Sequence, residues 1–271
     1  MLPDWLRKYL PAGTARTWEA VAPLVPPSGY LVGGTALTVH LRHRVSRDLD
    51  IFLSRREDLA ALQRALAEVG RLHVSYLDAS TLNATLDSTR LQFLEAADQR
   101  EVAPTTLVGG LRVASVEDLA AMKLKVIVDR GVMRDYFDLM VLDSSGAVPV
   151  EEGVAHFFAR YDPPNPRQYS DLILRALSYT DDVEDDPGLP VERAEVTGYW
   201  SRRAPAVVAA LSRRDGPSPQ RQTPFRSLVS PSHPLAHPLG HPLGGGGPCP
   251  HWMPRARRLC GRSTGHSGPH R

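Results

Sequence analysis

The sequence predicts an α/β (α+β) fold in which a mixed sheet is followed by a helical C-terminal part and a disordered tail. Three observations support this prediction. Helix-type and strand-type hydrophobic patterns alternate over residues 1–114, whereas helix-type patterns dominate residues 115–215. Residues 216–271 are instead rich in proline, glycine, histidine and arginine. With 271 residues and 42% hydrophobic content, the chain is long enough to bury a core ahead of this tail.

The first segment, 1–114, contains the strands of the predicted sheet. Apolar spacing predicts helices over residues 5–10, 14–22 and 57–70. Gly33 and Gly34 turn the short strand "YLV" into a further helix, for which Thr35 is a suitable first residue. Alternating or apolar runs predict strands in "DLDIFL", "RLHVSYLD", "TLNATLD" and "TRLQFLEA", and the "DS" between the last two predicts a hairpin.

The second segment, 115–215, follows a short strand in "LRVAS". Ser115 suits the N-cap of a helix whose apolar spacing continues to Gly131. Further apolar spacing predicts helices over residues 134–142, 150–161, 167–178 and 191–211.

The tail is expected to be disordered because its composition cannot bury enough apolar surface to offset the entropy of ordering. The tail contains seven arginines and no acidic residue, which gives it a charge of +7. Since the whole chain has a net charge of +2, the rest of the chain carries a net charge of −5. Such a basic tail could attract nucleic acid non-specifically or be inert. A zinc site of Cys249, Cys260, His266 and His270 is not expected, because these residues lack the paired C-x2-C spacing.

The composition also excludes classes of protein. The chain has no apolar run of about 18 residues, and its N-terminus lacks the apolar centre of a signal peptide. We therefore expect a cytoplasmic protein with no membrane partner. Both cysteines lie near the C-terminus, so no disulfide framework is predicted for the core.

Two aspartates, Asp48 and Asp50, stand at the head of the strand "DLDIFL". Alternation directs both carboxylates to one face of the sheet and the intervening Leu49 to the other. Neighbouring carboxylates repel each other, and Mg²⁺, which takes one or two carboxylates together with phosphate oxygens, is a usual way to stabilise them. In the structural alternative, Asp50 pairs with Arg44 or Arg47.

A glycine-rich turn precedes this acidic pair. Gly33, Gly34 and Thr35 lie between a strand and a helix, where free backbone N–H groups suit a phosphate. Together, the glycine turn and the acidic pair predict a nucleotide site, in which the turn binds a triphosphate and the next strand binds its metal ion. In the alternative, the glycines only turn the chain.

Three segments carry a resemblance to a known family. The string "GGTALTVHLRHRVSRDLDIF" resembles the first motif of the nucleotidyltransferase AbiEii/AbiGii toxin family, GGTAL followed by a basic residue, a serine and D-[LF]-D-[FL]. The string "DLAAMKLKVIVDRGVMRDYFDLMVL" is similar to the downstream block of that family, and "LRALSYTDDVEDDP" to a late segment. The resemblance extends over residues 29–187 and does not include the tail.

The resemblance implies a nucleotidyltransferase fold and a Mg²⁺- or Mn²⁺-dependent transfer of a nucleotidyl group from an NTP. Residues 115–215 would complete the active site. The residues implied in catalysis are Asp48, Asp50, Lys123 and Asp138, the first two as metal ligands. The residues implied in nucleotide binding are Gly33, Gly34, Thr35, Ser46, Arg130 and Asp135.

Helix geometry refines the downstream block. Lys123 and Arg130 are two turns apart on one helix face, so both could point at the triphosphate, whereas Lys125 lies off that face. One of the aspartates Asp135 and Asp138 could act as a base or orient the lysine. In the structural alternative, Asp138 and Arg134 form a solvated pair one turn apart.

One position departs from the usual nucleotidyltransferase pattern. A later strand commonly adds a third carboxylate, but here it carries Gln92, a poor Mg²⁺ ligand. Either the two aspartates act with phosphate alone, or Asp87 or Glu95 helps. His40 and His43 are expected to pack or lie on the surface.

The favoured function is that of a toxin, paired with a cognate antitoxin, which adds nucleotides to RNA and most plausibly to the tRNA 3′ end. RNA contacts are expected from Arg42, Arg44, Arg47 and the helix of Lys123. The alternatives are nucleotidyl transfer to a small molecule or a protein side chain, or a binding module without turnover.

Overall fold

A computed structural model of the protein describes residues 1–129 and 131–214. The tail expected to be disordered, its four candidate zinc ligands and the candidate nucleotide-binding residue Arg130 lie outside the described residues.

Residues 1–114 form the sheet and the helices around it. The helices are α1 (Asp4–Arg7), α2 (Ala12–Val21), α3 (Gly33–Leu41) and α4 (Leu59–Ala67), with a 3-10 turn at Ala22–Leu24. The strands are β1 (Gly29–Val32), β2 (Leu49–Leu53), β3 (Leu72–Leu77), β4 (Thr81–Leu86), β5 (Thr89–Glu95), β6 (Thr106–Val108) and β7 (Leu111–Val113).

Residues 115–214 are helical, as predicted. Their helices are α5 (Val116–Asp129), α6 (Met133–Ser144), α7 (Val150–Tyr161), α8 (Pro166–Ser178) and α9 (Arg193–Arg214). The predicted capping role of Ser115 is confirmed, because its hydroxyl accepts a hydrogen bond from the Asp118 N–H at 3.1 Å. None of the helices in the described residues has the length and apolar character that a membrane span requires.

Two sequence predictions need correction. The helix after the glycine turn begins at Gly33 rather than Thr35, because Gly33 and Gly34 already form its first turn. The short strand β6 was not predicted. Its side chains are exposed or half-buried at the edge of the sheet, so it carries no hydrophobic alternation from which it could be recognised.

The sheet is mixed, as predicted, with strand order β3-β4-β5-β2-β1-β7-β6. Strand β2 pairs antiparallel with β1 and parallel with β5, and β1 pairs parallel with β7. The central position of β2 places Asp48 and Asp50 between the two halves of the sheet. The β4–β5 hairpin turns at Asp87, which has a positive φ of 54°.

The sheet has one apolar face and one polar face. Leu49, Ile51 and Leu53 of β2 are fully buried, whereas the alternating Asp50 and Phe52 are only half-buried. Helix α2 contacts β5 and helix α4 contacts β4, and the apolar side chains of both strands share the face of Leu49. The polar face therefore remains available for a site.

The buried Arg160 side chain joins the helical segment to the sheet. On α7, the Arg160 guanidinium lies 2.5 Å from Asp118 Oδ1 of α5 and donates a hydrogen bond to the Tyr30 hydroxyl of β1 at 2.9 Å. The buried apolar side chains of both segments form one continuous core. Helix α5 is thus held across the polar face, where it forms the opposite wall of a cavity.

Candidate active site

Asp48 and Asp50 line a cavity of about 500 Å³ between the polar face of β2 and helix α5. Asp50 is the second residue of β2 and Asp48 directly precedes the strand, so both carboxylates point away from the buried Leu49. The predicted orientation of the acidic pair is therefore confirmed. Asp50 does not use Arg44 as its partner, because that guanidinium binds Asp138.

The glycine turn packs directly against this pair. Gly33 has a φ of +72°, and a Cβ at this position would overlap the Asp50 carboxylate. A Cβ on Gly34 would overlap the Arg44 guanidinium. Both glycines line the cavity at the N-terminus of α3, where backbone N–H groups suit an anion. Gly33 suits this turn through both its positive φ and the close approach of Asp50, whereas Gly34 suits it through the close approach of Arg44 alone.

Thr35 and Ser46 connect the glycine turn to the acidic pair. The Thr35 hydroxyl donates to the Asp48 carbonyl at 2.5 Å and shares a hydrogen bond with the Ser46 hydroxyl at 2.8 Å. Thr35 is 1% exposed and does not line the cavity, whereas Ser46 does. The Thr35 side chain therefore positions the site and does not itself reach a phosphate.

Beside the cavity lies a buried ionic cluster, here named the Asp138 cluster, which consists of His43, Arg44, Lys123, Asp135 and Asp138. Lys123 Nζ lies 2.6 Å from both Asp135 Oδ1 and Asp138 Oδ2. Arg44 donates to both oxygens of Asp138, at 2.7 and 2.9 Å, and His43 Nε2 donates to Oδ1 at 2.7 Å. The side chain of Asp138 is fully buried.

The charges within the Asp138 cluster determine its ionisation. Burial alone would raise the pKa of Asp138, but Lys123 and Arg44 hold that pKa well below its ordinary value. Burial likewise opposes the charge of Lys123, but Asp135 and Asp138 raise the lysine pKa. Lys123 thus stays positively charged at neutral pH, and the residue borders the cavity with 8% of its side chain exposed.

The two late aspartates are both fully buried, and both bind Lys123. Asp135 lies at the wall of the cavity, whereas the Asp138 carboxylate is bound by Lys123, Arg44 and His43 behind it. This arrangement lets Asp138 hold Lys123 and Arg44 in position, and its expected catalytic role stays a prediction. The alternative of a solvated pair with Arg134 is wrong, since Arg134 lies 3.9 Å from Asp186 and Asp138 is buried.

The third carboxylate is absent from the expected position, as the sequence indicated. Gln92 lies directly beside Asp50 in the parallel β2–β5 pair, lines the cavity and donates to Asn83 Oδ1 at 2.9 Å. Glu95 lies beside Leu53 at the far end of that pair, and Asp87 sits in the β4–β5 turn. Neither Asp87 nor Glu95 lines the cavity.

The donor set fits a divalent cation that is completed by substrate. Within residues 1–129 and 131–214, no three His, Cys, Asp or Glu side chains are grouped to hold a metal. Asp48 and Asp50 supply two carboxylates beside a turn suited to phosphate. Mg²⁺ is commonly held by one or two carboxylates with phosphate oxygens and waters, and Mn²⁺ also accepts oxygen ligands.

The arginines near the cavity divide into two groups. Arg44 is bound within the Asp138 cluster, whereas the exposed Arg42 guanidinium lies over the Trp5 ring at 4.3 Å, so the expected RNA contact of Arg42 stays a prediction. Arg47 and Arg90 line the cavity and are exposed, and neither side chain forms an ion pair with any residue that the structure describes. They are the better candidates for phosphate contacts.

Sequence reasoning missed several residues of this site. His43 packs, as expected, with its ring stacked on Phe137 and its side chain 3% exposed, but its hydrogen bond to Asp138 was not predicted, and Arg44 was only an alternative partner of Asp50. Both bind Asp138, 94 and 95 residues away, which no local pattern reveals. Arg90 carried a usable signal, because it is two residues before Gln92 on the same strand face.

A family model for nucleotidyl transferase AbiEii toxins of type IV toxin–antitoxin systems matches residues 19–215. This match covers more than half of the chain, so the protein belongs to that family. The resemblance found in the sequence, the nucleotidyltransferase fold and the assignment as a nucleotidyltransferase are thereby confirmed. Membership implies an NTP substrate and an antitoxin partner.

Individual relatives were also found. An uncharacterized protein of Aquifex aeolicus, aq_aa25, is 32% identical over 179 residues, which are 64% of this chain and 85% of the relative. The solved structure of the nucleotidyltransferase toxin MenT4 from Mycobacterium tuberculosis is similar with a TM-score of 0.49 and 16% identity, covering 74% of this chain and 84% of MenT4. JHP933 from Helicobacter pylori gives a TM-score of 0.45 and 16% identity, covering 79% of this chain and 97% of JHP933.

The contact between Gly33 and Asp50 can be tested with a matched glycine. Gly33 and Gly146 both have a φ of +72°, but a Cβ on Gly146 would meet nothing within 4 Å. Substitution by alanine should lower the free energy of unfolding by roughly 1 kcal/mol at each position because of backbone strain. Urea unfolding measures this change. Only Gly33→Ala should also lose nucleotidyl transfer, because its methyl group displaces Asp50. Equal transfer by Gly33→Ala and Gly146→Ala would refute this contact.

The Asp138 cluster predicts a pH-dependent loss of stability. Asp138→Asn leaves two buried cations without their shared carboxylate, so unfolding free energy at pH 7 should fall by about 3–5 kcal/mol. Since the folded pKa of Asp138 is lowered from 3.8, its contribution is complete above that value and is lost as the pH falls through the folded pKa. The difference between wild type and variant should therefore shrink in acid.

The control for this experiment is Asp162→Asn. Asp162 forms an ion pair with Arg100 at 3.1 Å, but both side chains are largely exposed. Removing this exposed charge should leave stability nearly unchanged at every pH. Comparable losses in the two variants would contradict the assignment of the Asp138 cluster.

Proposed function

We propose that this protein is a metal-dependent toxin that transfers NMP from an NTP to an RNA acceptor, most plausibly the 3′ end of tRNA. The observation that most supports this function is that three features lie together at one cavity. These are the Asp48–Asp50 pair, the glycine turn that packs on Asp50 and the buried, charged Lys123. The substrates proposed here are cytoplasmic, so the reaction would take place there.

Asp48 and Asp50 would hold Mg²⁺ or Mn²⁺. When bound, such a cation stabilises the charge that develops on phosphate oxygens and lowers the pKa of an attacking hydroxyl. The role of the two carboxylates is to fix its position beside the glycine turn. Gly33 keeps the Asp50 carboxylate close to this turn, because no side chain separates them.

The turn and Lys123 would bind the triphosphate from two sides. Backbone N–H groups at the start of α3 would donate to phosphate oxygens, and the Lys123 ammonium would approach from α5. Asp135 and Asp138 hold that ammonium in place, so its position does not depend on the nucleotide. Such a preorganised charge stabilises the transition state without rearrangement.

The transfer then requires an acceptor hydroxyl in line with the leaving group. The hydroxyl oxygen attacks the α-phosphorus and loses its proton to solvent, the bond between that phosphorus and the oxygen that bridges to the β-phosphorus breaks, and pyrophosphate leaves. Arg47 and Arg90 at the cavity could bind phosphates of the acceptor or the leaving group. An RNA acceptor uses this local basic surface better than a neutral small molecule would.

We expect Asp48→Ala and Asp50→Ala each to reduce transfer by roughly a hundredfold or more, because the charge stabilisation of the transition state is lost. The measurement is incorporation of α-labelled NTP, supplied with Mg²⁺ or Mn²⁺, into total tRNA. Each NTP is tested separately. Full activity of either variant would contradict the assignment of Asp48 and Asp50 as metal ligands.

The acceptor is tested in the same experiment. Periodate-oxidised tRNA, which lacks a free 3′-terminal diol, should not be labelled if transfer is to the 3′ end.

Expression in a bacterial host provides a second test. The wild type should arrest growth and extend tRNA, whereas Asp50→Ala should do neither. Co-expression of a neighbouring antitoxin gene should relieve the arrest. Label on proteins or small molecules but not on RNA would contradict the proposed acceptor.

A further inference from the structure

Two rows of polar side chains extend from the acidic pair across the sheet. The first row begins with Asp50 of β2, which lies beside Gln92 of β5. Gln92 pairs with Asn83 of β4, and Asn83 in turn pairs with Tyr76 of β3. Paired residues direct their side chains to the same face. The β3–β4 register shifts between Val74 and Tyr76, so that Tyr76, and not Ser75, pairs with Asn83. This row therefore continues the catalytic face outward over three strand spacings, or about 14 Å.

The second row runs beside the first. Arg90 of β5 pairs with Thr85 of β4, which pairs with His73 of β3. Arg90 and His73 are exposed, and Thr85 is half-buried. We name the surface formed by Tyr76, Asn83, Gln92, His73, Thr85 and Arg90 the open sheet face.

The open sheet face differs from the opposite side of the same strands. There, Leu82, Leu86, Leu91 and Phe93 are each at most 2% exposed beneath α2 and α4. The open face carries amides, hydroxyls and a guanidinium, which are the groups that bind nucleic acid through bases, sugars and phosphates. A polar face that leads away from an active site suits a polar, extended substrate.

Tyr76 gives this face an aromatic ring at its outer end. The residue is 51% exposed, and its hydroxyl donates to Asp78 Oδ2 at 2.7 Å. The hydrogen bond restrains the ring while leaving it accessible. Exposed aromatic rings on sheets bind single-stranded nucleic acid by stacking on bases, and a four-stranded sheet can stack two or three of them.

The open sheet face is continuous with the cavity. Arg90 and Gln92 belong both to this face and to the cavity lining, next to Asp48 and Asp50. Arg90 has no carboxylate partner among the described residues, so its charge is available for a backbone phosphate. The face is therefore a path from Tyr76 to the acidic pair.

We propose that the open sheet face binds the single-stranded 3′ end of the RNA acceptor, with a base stacked on Tyr76 and the terminal hydroxyl at Asp48 and Asp50. Arg90 binds a phosphate between these two points, and Gln92 and Asn83 hydrogen-bond the intervening nucleotide. This inference rests on the proposed function, since it specifies how an RNA acceptor would reach the active site.

The test compares an RNA hairpin that carries a short single-stranded 3′ extension with the same hairpin ending blunt. Tyr76→Ala should raise the Kd and the acceptor KM for the extended hairpin about tenfold or more, the loss expected for one base–aromatic stack. The KM for NTP and the rate at saturating RNA should not change. Tyr76→Phe, which keeps the ring, should bind nearly as the wild type does.

A second tyrosine provides the control. Tyr179 is 49% exposed, as Tyr76 is, but it follows α8 and lies outside the open sheet face. Tyr179→Ala should leave both hairpins unaffected. Thermal unfolding of the variants checks that an altered Kd does not reflect a damaged fold.

The outcomes separate this inference from the proposed function. If the wild type labels RNA but Tyr76→Ala keeps the affinity of the wild type for the extended hairpin, or loses affinity equally for both hairpins, the open sheet face is not the acceptor site. If the wild type labels another acceptor and no RNA, the proposed function and this inference both fail.

Discussion

The active site depends on one buried carboxylate. Asp138 on α6 binds Lys123 from α5 and both Arg44 and His43 from the loop before β2. A charge buried without partners would be strongly unfavourable, so the three segments must assemble together. Since that loop leads directly to Asp48, the carboxylate that fixes the lysine also fixes the approach to the acidic pair.

The glycine turn supplies the complementary constraint. Gly34 admits the Arg44 guanidinium and Gly33 admits the Asp50 carboxylate, each at a distance that a methyl group would prevent. Thr35 adds a third connection through its hydrogen bond to the Asp48 carbonyl. The glycine turn, the acidic pair and the Asp138 cluster thus form one packed unit, to which the segment from Gly33 to Asp50 and the helices α5 and α6 both contribute.

Local patterns predicted much of this arrangement. Strand alternation placed Asp48 and Asp50 on one face, and the family resemblance identified Lys123 and the late aspartates. The pattern could not distinguish Asp135 from Asp138, because residues three apart share one helix face and only the packing decides which lines the cavity. The contacts of Asp138 with His43 and Arg44, on the loop before β2, could not be predicted either, because tertiary contacts leave no periodic signal in the sequence.

We propose that the Asp138 cluster holds the Lys123 ammonium where it would meet the triphosphate of an NTP. Lys125 on the same helix is a natural comparison, because its ammonium pairs with Asp129 at 2.9 Å and is partly exposed. The most direct measurement is the single-turnover rate of NMP transfer for Lys123→Ala and Lys125→Ala, at saturating NTP. We expect a loss of roughly a hundredfold for Lys123→Ala and little change for Lys125→Ala. Similar rates for the two variants would contradict it.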